Sequence, residues 1–102
     1  MPLINDGYAL LSASRALLGA VTPNLRVVTI KVSAEEKMVK VCFFYDGNIS
    51  EEDFETANTA ITEIISDFPL DYELDDHIER IDYPNAIPFD GRVVFERKKK
   101  KI

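Results

Sequence analysis

One segment constrains the fold more than any other: Ile49 to Phe68 reads as a helix whose start, buried side and stop are all written in the sequence. Ser50 stands where its hydroxyl can accept from the amide of Asp53, and the Asp53 carboxylate can reach back to the Ser50 amide, a short-armed capping box. Ile49 is placed to staple onto Phe54. Glu51, Glu52 and Asp53 fill the first turn, where the helix dipole favours negative charge by roughly 0.3–1 kcal/mol each. Phe54, Ala57, Ile61, Ile64, Ile65 and Phe68 then recur at helical spacing, which leaves Glu52, Glu55, Thr59, Thr62, Glu63 and Ser66 outward. Pro69 ends the run, because the residue before proline is pushed out of the helical region. A helix with so defined an apolar stripe needs a sheet to lie on.

The sheet is announced upstream. From Leu25 to Val32, Val28, Ile30 and Val32 alternate with Val27, Thr29 and Lys31, and from Met38 to Tyr45, Val39, Val41, Phe43 and Tyr45 alternate with Met38, Lys40, Cys42 and Phe44. The short polar stretch Ser33 to Lys37 between them predicts an antiparallel hairpin. The second strand is apolar on both faces at its end, which places it inside the sheet rather than at an edge. Near the amino terminus, Asn5 and Asp6 precede a helical run from Tyr8 to Leu18, with Leu10, Ala13 and Leu17 on one side and Leu11, Arg15 and Leu18 on an adjacent stripe; Gly19 is a candidate left-handed stop.

After Pro69 the alternation of Leu70, Tyr72 and Leu74 with Asp71, Glu73 and Asp75 suits an exposed strand, whereas Ile78 and Ile81 are spaced for a helical turn. We expect a strand from about His77 to Tyr83, stopped by Tyr83-Pro84-Asn85, and Arg92 to Arg97 as its partner after an Asp90-Gly91 turn. Lys98 to Ile102 reads as a solvated, disordered basic tail. The expected architecture is one α+β domain over residues 1–102, a two-layer sandwich with a mostly antiparallel four-stranded sheet and two helices in the order α-β-β-α-β-β.

Charge is the other constraint. Thirteen of the 18 carboxylates fall between Asp46 and Asp82, where Arg80 is the lone basic residue, so this window carries −12 of a total of −6 and the remainder of the chain is basic. Such a field steers cationic partners and repels nucleic acid, whose binders present a basic footprint. Lys98 to Lys101 reads as a solubilising tail in preference to a phosphate site. No segment approaches the ~20 apolar residues of a membrane span, and the start of the chain lacks the pattern of a signal peptide. A single cysteine, Cys42, sits in an apolar run and fits a reducing cytoplasm.

Chemical motifs are few. Asp46-x-Asn48-x-Ser50 resembles the opening of a calcium loop, but Glu51 stands where glycine must turn and Ala57 where a bidentate glutamate is needed, so a turn and helix cap explain the same residues. His77 is the only histidine, and neither it nor Cys42 has a partner at zinc-ligand spacing. The four glycines are isolated, which excludes a phosphate cradle, and the carboxylates recur on outward positions rather than in an apolar cleft where acid–base catalysis would place one. No catalytic residue, metal or cofactor is expected.

Arg15-Ala-Leu-Leu-Gly19, Thr22-Pro-Asn-Leu-Arg26, Phe44-Tyr-Asp-Gly47, Ile49-Ser-Glu-Glu-Asp53, Asp67-Phe-Pro69 and Asp82-Tyr-Pro84 together resemble a set of small bacterial proteins of similar length and element order, over about residues 9–97. In size and acidity the chain is similar to toxin immunity proteins of the colicin and contact-dependent inhibition systems. That resemblance implies a cytoplasmic protein without enzymatic activity that neutralises a basic protein partner, plausibly a nuclease toxin. The contacts expected are Glu52, Glu55 and Glu63 on the helix and Asp71, Glu73, Asp75, Asp76 and Glu79 after it. The alternative is a homo-oligomeric structural or adaptor module, a homodimer for example, with no catalytic activity and with acidity that maintains solubility.

Overall fold

A computed structural model describes residues 4–98. Its elements are α1 (Asp6–Ala16), a short 3-10 turn (Leu17–Gly19), β1 (Leu25–Ser33), β2 (Met38–Tyr45), α2 (Glu51–Ser66), β3 (Glu73–Arg80) and β4 (Arg92–Glu96). They form one four-stranded sheet in the order β3-β2-β1-β4, with both helices on one face. α1 packs on β1 and β4, and α2 on β2 and β3. The α+β class and the mostly antiparallel sheet are as expected: β1 pairs antiparallel with β2 and with β4, and only β2–β3 is parallel. β2 lies inside the sheet, as its two apolar faces required.

The capping box of α2 is formed in full: the Ser50 hydroxyl accepts from the Asp53 amide at 3.0 Å, and the Asp53 carboxylate accepts from the Ser50 amide at 3.0 Å. The Asp53 carboxylate is buried, which opposes its ionisation, yet the neighbouring Thr22 side chain and the Ser50 amide that donates to it outweigh that cost and hold its pKa below the usual value. Ala57, Ala60, Ile61, Ile64 and Phe68 close on Val28, Ile30, Val39, Val41 and Phe43 to make the main core. Phe54 departs from expectation at 43% exposure, and Ile65 is only half-buried. At 3.6 residues per turn Phe54 stands roughly 70° from the centre of the buried stripe, and the inward position of that first turn is taken by Asp53.

Other expectations need correction. α1 does not end on a left-handed glycine: the chain tightens into the 3-10 turn, and the positive-φ glycines among the described residues are Gly47 and Gly91. Leu11 and Leu18 are exposed, and Ala9, Ser12, Ala13, Ala16 and Leu17 form the buried side of α1 and its terminal turn. The strand expected at His77–Tyr83 spans Glu73–Arg80, because it runs in register with the whole of β2, from Met38 opposite Glu73 to Tyr45 opposite Arg80. Nor does it pair with β4. The long connection through α2 returns the chain parallel to β2, as a helical crossover allows, and β4 takes the free edge of β1.

β3 and β4 therefore lie at opposite edges, and the segment between them crosses the face of the sheet that the helices leave open. There Ile87, with Ile81 beside it, packs on Val27, Cys42 and Phe44 as a second, smaller core. Of the basic tail only Lys98 falls within the described residues, and it is exposed; residues 99–102 lie outside them.

Candidate functional site

The outer face of α2 follows directly from its buried stripe. With Ala57, Ala60, Ile61 and Ile64 turned to the sheet, Glu51, Glu52, Glu55, Thr59, Thr62 and Glu63 stand in solvent. Among the described residues none of Glu51, Glu52, Glu55 or Glu63 joins an ion pair, in contrast to Asp46, Asp71, Asp82 and Asp90. Those four are held below the ordinary aspartate value chiefly by hydrogen bonds from Arg97, Lys37, Arg80 and Lys40 respectively. The acidic window from Asp46 to Asp82, with Asp90 beyond it, thus divides into carboxylates paired within the fold and carboxylates left unpaired among the described residues.

Between α2 and the end of α1 runs a groove of about 400 Å³. Its walls are Arg15, Leu18 and Ala20 on one side and Glu55, Thr56, Thr59 and Glu63 on the other. Leu18 is 89% exposed, an isolated apolar projection beside an acidic wall. α1 is fixed against the far end of α2 by Tyr8, whose hydroxyl donates to the Asp67 carbonyl, and by Ser12, whose hydroxyl donates to the Asp67 carboxylate at 2.6 Å. The groove is therefore set by tertiary contacts that no local pattern announces.

The eight carboxylates expected to act together occupy three places. Glu52, Glu55 and Glu63 share the outer face of α2, and Glu55 and Glu63 line the groove. Asp71 lies in the α2–β3 connection, where it accepts from the Lys37 ammonium at 2.6 Å. Glu73, Asp75, Asp76 and Glu79 belong to β3 at the rim of the sheet. Strand alternation separates them again: Leu74 and Ile78 pack into the main core, so Asp76 shares the helix side, while Glu73, Asp75 and Glu79 share the other side with His77. His77 Nε2 is 2.8 Å from Asp75 Oδ1, and Nδ1 is 3.7 Å from Glu79.

Register also opposes Cys42 to His77, with Thr29 opposite Cys42 on the far strand, so the cysteine is brought beside the Asp75–His77 pair from which the sequence holds it far apart. The thiol is buried at 5% exposure, and burial pushes its pKa up despite the hydrogen bond to Thr29. A catalytic thiol needs the opposite environment, so Cys42 acts as a small apolar side chain in the second core. Tyr45 behaves likewise: burial, with the nearby Asp53 carboxylate, pushes its phenol up to about 12, and its hydroxyl donates to the Asp53 carbonyl at 3.3 Å. Among the described residues no cluster of three or more His, Cys, Asp or Glu is placed to hold a metal ion. No helix among them is long and apolar enough to cross a membrane.

The arrangement presents a helix face of carboxylates unpaired among the described residues, a groove with one apolar projection, and an acidic rim. No curated protein matches the chain. Residues 6–99 match the model of the MafI2 immunity protein family, so the resemblance to immunity proteins holds and the chain belongs to that family.

Proposed function

We propose that this protein neutralises a basic protein toxin by direct, non-catalytic binding in the cytoplasm, with the outer face of α2 as the principal contact. The observation that carries the reading is the set of unpaired carboxylates on α2, in a member of an immunity family. A toxin that acts on nucleic acid presents Lys and Arg to phosphate, and a helix face bearing Glu52, Glu55 and Glu63 can satisfy the same groups. Opposite potentials also accelerate encounter, toward ~10⁸–10⁹ M⁻¹s⁻¹ at low salt. Leu18 adds an apolar projection at the border of that face. No cofactor, metal, membrane or nucleic acid enters this reading. Arg15 lies inside the groove and locally offsets the acidity, which directs the strongest attraction toward the exposed ridge of α2.

The test is co-expression with a toxin whose gene is found beside that of this protein. Wild type should restore growth and copurify with the toxin, and the triple change Glu52→Gln, Glu55→Gln, Glu63→Gln should slow association at least tenfold in low salt, with the difference shrinking as salt is raised. A triple variant that protects and associates as fast as wild type would show that α2 is not the contact. A self-associating species that copurifies with no toxin would favour the homo-oligomeric alternative.

A further inference from the structure

The two edges of the sheet are finished differently. β4 is a five-residue strand with a register shift against β1, and Arg97 and Lys98 follow it. β3 is eight residues long, pairs with β2 without a register shift, and contains neither proline nor lysine. Short length, bulges, proline and charged side chains are the usual protections of an edge strand; β3 lacks the first three and relies on charge alone, chiefly the carboxylates of Glu73, Asp75, Asp76 and Glu79. The Glu73 amide donates to the Lys37 carbonyl at 2.8 Å and the Ile81 amide to the Tyr45 carbonyl at 2.9 Å, so odd-numbered residues turn their backbone toward β2. The amides and carbonyls of Leu74, Asp76, Ile78 and Arg80 therefore point away from the sheet, and no strand among the described residues pairs with them.

The side chains along this rim specify what fits it. On the helix side Leu74 and Ile78 are half-buried on the core, with Asp76 between them; on the other side stand Glu73, Asp75, His77 and Glu79. Helical spacing also puts the exposed Phe54 on the flank of α2 away from the groove-lining Thr56 and Ala60. A second β3 laid along this edge brings carboxylate against carboxylate, which is unfavourable for cross-strand neighbours. A basic strand with apolar residues at alternate positions meets the opposite: cations face Glu73, Asp75 and Glu79, and apolar side chains cover Leu74 and Ile78.

We infer that the outer edge of β3 accepts an extended, alternately basic and apolar segment of the toxin as a fifth strand of the sheet. This rests on the reading of the protein as the inhibitor of a basic partner and adds a second, backbone-directed contact to the one on α2. Main-chain hydrogen bonds supply the attachment, and the charges select the occupant and exclude copies of the chain itself.

Amide hydrogen exchange of the full chain tests this with an eight-residue peptide of alternating lysine and valine. Three controls accompany it: the same peptide N-methylated throughout its backbone, one of alternating glutamate and valine, and the chain alone over a concentration series. Slowing of at least tenfold at the amides of Leu74, Asp76, Ile78 and Arg80 with the first peptide and with neither control peptide supports the fifth strand. Absence of slowing at millimolar peptide, or equal slowing by the N-methylated peptide, overturns it, because charge alone would then account for binding. Protection that rises with concentration of the chain alone also overturns it, by assigning the edge to a second copy. The chain with Gln at positions 52, 55 and 63 should retain the slowing. Loss of growth protection in that variant alongside an unprotected edge would leave the α2 reading standing and remove only this one.

Discussion

On the helix side of the sheet, Val28, Ile30, Val39, Val41, Phe43 and Tyr45 meet α1 and α2 and are essentially inaccessible to water. On the other side the apolar core is Val27, Cys42, Phe44 and Ile87, with Thr29 buried beside them, and much of the attachment of the crossing segment is polar. Asp90 accepts from both Lys31 and Lys40 at 3.1 Å, Asp46 accepts from Arg97 at 2.7 Å and from the Tyr83 amide, and Arg26 donates to the Ile81 carbonyl while its guanidinium lies 5.5 Å from the Tyr83 ring centroid. One face is held by area removed from water, which is insensitive to pH. The other is held largely by charge pairs at the surface, each worth little and each sensitive to pH and salt. The same division sorts the carboxylates: those near the crossing segment are consumed by the fold, and Glu51, Glu52, Glu55 and Glu63 on α2 are left unpaired among the described residues.

The largest expected effect lies on the helix side. Ile61 is 3% exposed and central to the stripe of α2. Ile61→Ala should destabilise by about 2–5 kcal/mol, measured by denaturant unfolding with an unchanged m-value. A loss below about 0.5 kcal/mol would dissolve the contrast between the faces. Next is Gly91, at the end of the crossing segment. Its φ is +93°, and a Cβ there would lie 2.4 Å from the Ile30 carbonyl oxygen and 2.7 Å from Lys31 Cβ. Gly91→Ala should cost about 1–3 kcal/mol from the backbone conformation alone, with the clash added. If it is neutral, the segment is not pinned against β1 as described.

The helix side was legible in the sequence because its signals are local. Ser50 and Asp53 lie three residues apart, Ala57, Ile61 and Ile64 repeat at one period, and Val39, Val41 and Phe43 at another. The other side was not, because it depends on which strands become neighbours. Nothing near Cys42 announces His77 opposite it, and nothing near Ile87 marks it as buried. The strand at Glu73–Arg80 did carry a signal, since Leu74 and Ile78 share parity, but the stop at Tyr83-Pro84-Asn85 and the expected pairing with Arg92–Arg97 draw the strand too far along. The candidate contacts were legible on α2, where one helix period decides exposure. They were not on β3, where alternation puts Asp76 on one side and Asp75 and Glu79 on the other.

Ser50→Ala removes the hydroxyl that accepts from the Asp53 amide and keeps the backbone amide that donates to the Asp53 carboxylate. The expected loss is about 0.5–2 kcal/mol, measured in the same unfolding experiment, with toxin binding unaltered beyond that change. Lost protection against the toxin at unchanged stability would move Ser50 from the architecture into the contact surface.

The smallest effect at neutral pH, and the sharpest test of the contrast, is Asp90→Asn. Hydrogen bonds from Lys40 and then Lys31 hold the Asp90 pKa below 3.8, and the Asp90 hydrogen bond holds the Lys40 pKa above 10.5. A carboxylate with a lowered folded-state pKa stabilises above its unfolded pKa, and that contribution disappears as pH falls through the folded value. An ammonium with a raised folded-state pKa stabilises below its unfolded pKa, and that contribution disappears as pH rises through the folded value. The difference in Tm between wild type and Asp90→Asn should therefore be small and nearly constant between about pH 5 and pH 9. It should shrink toward zero below the ordinary aspartate range at one end and above the ordinary lysine range at the other. Ile61→Ala should show the same destabilisation across that span, since no charge is involved. Were the Asp90→Asn difference independent of pH as well, the crossing segment would be held by packing, and the two faces would not differ in kind.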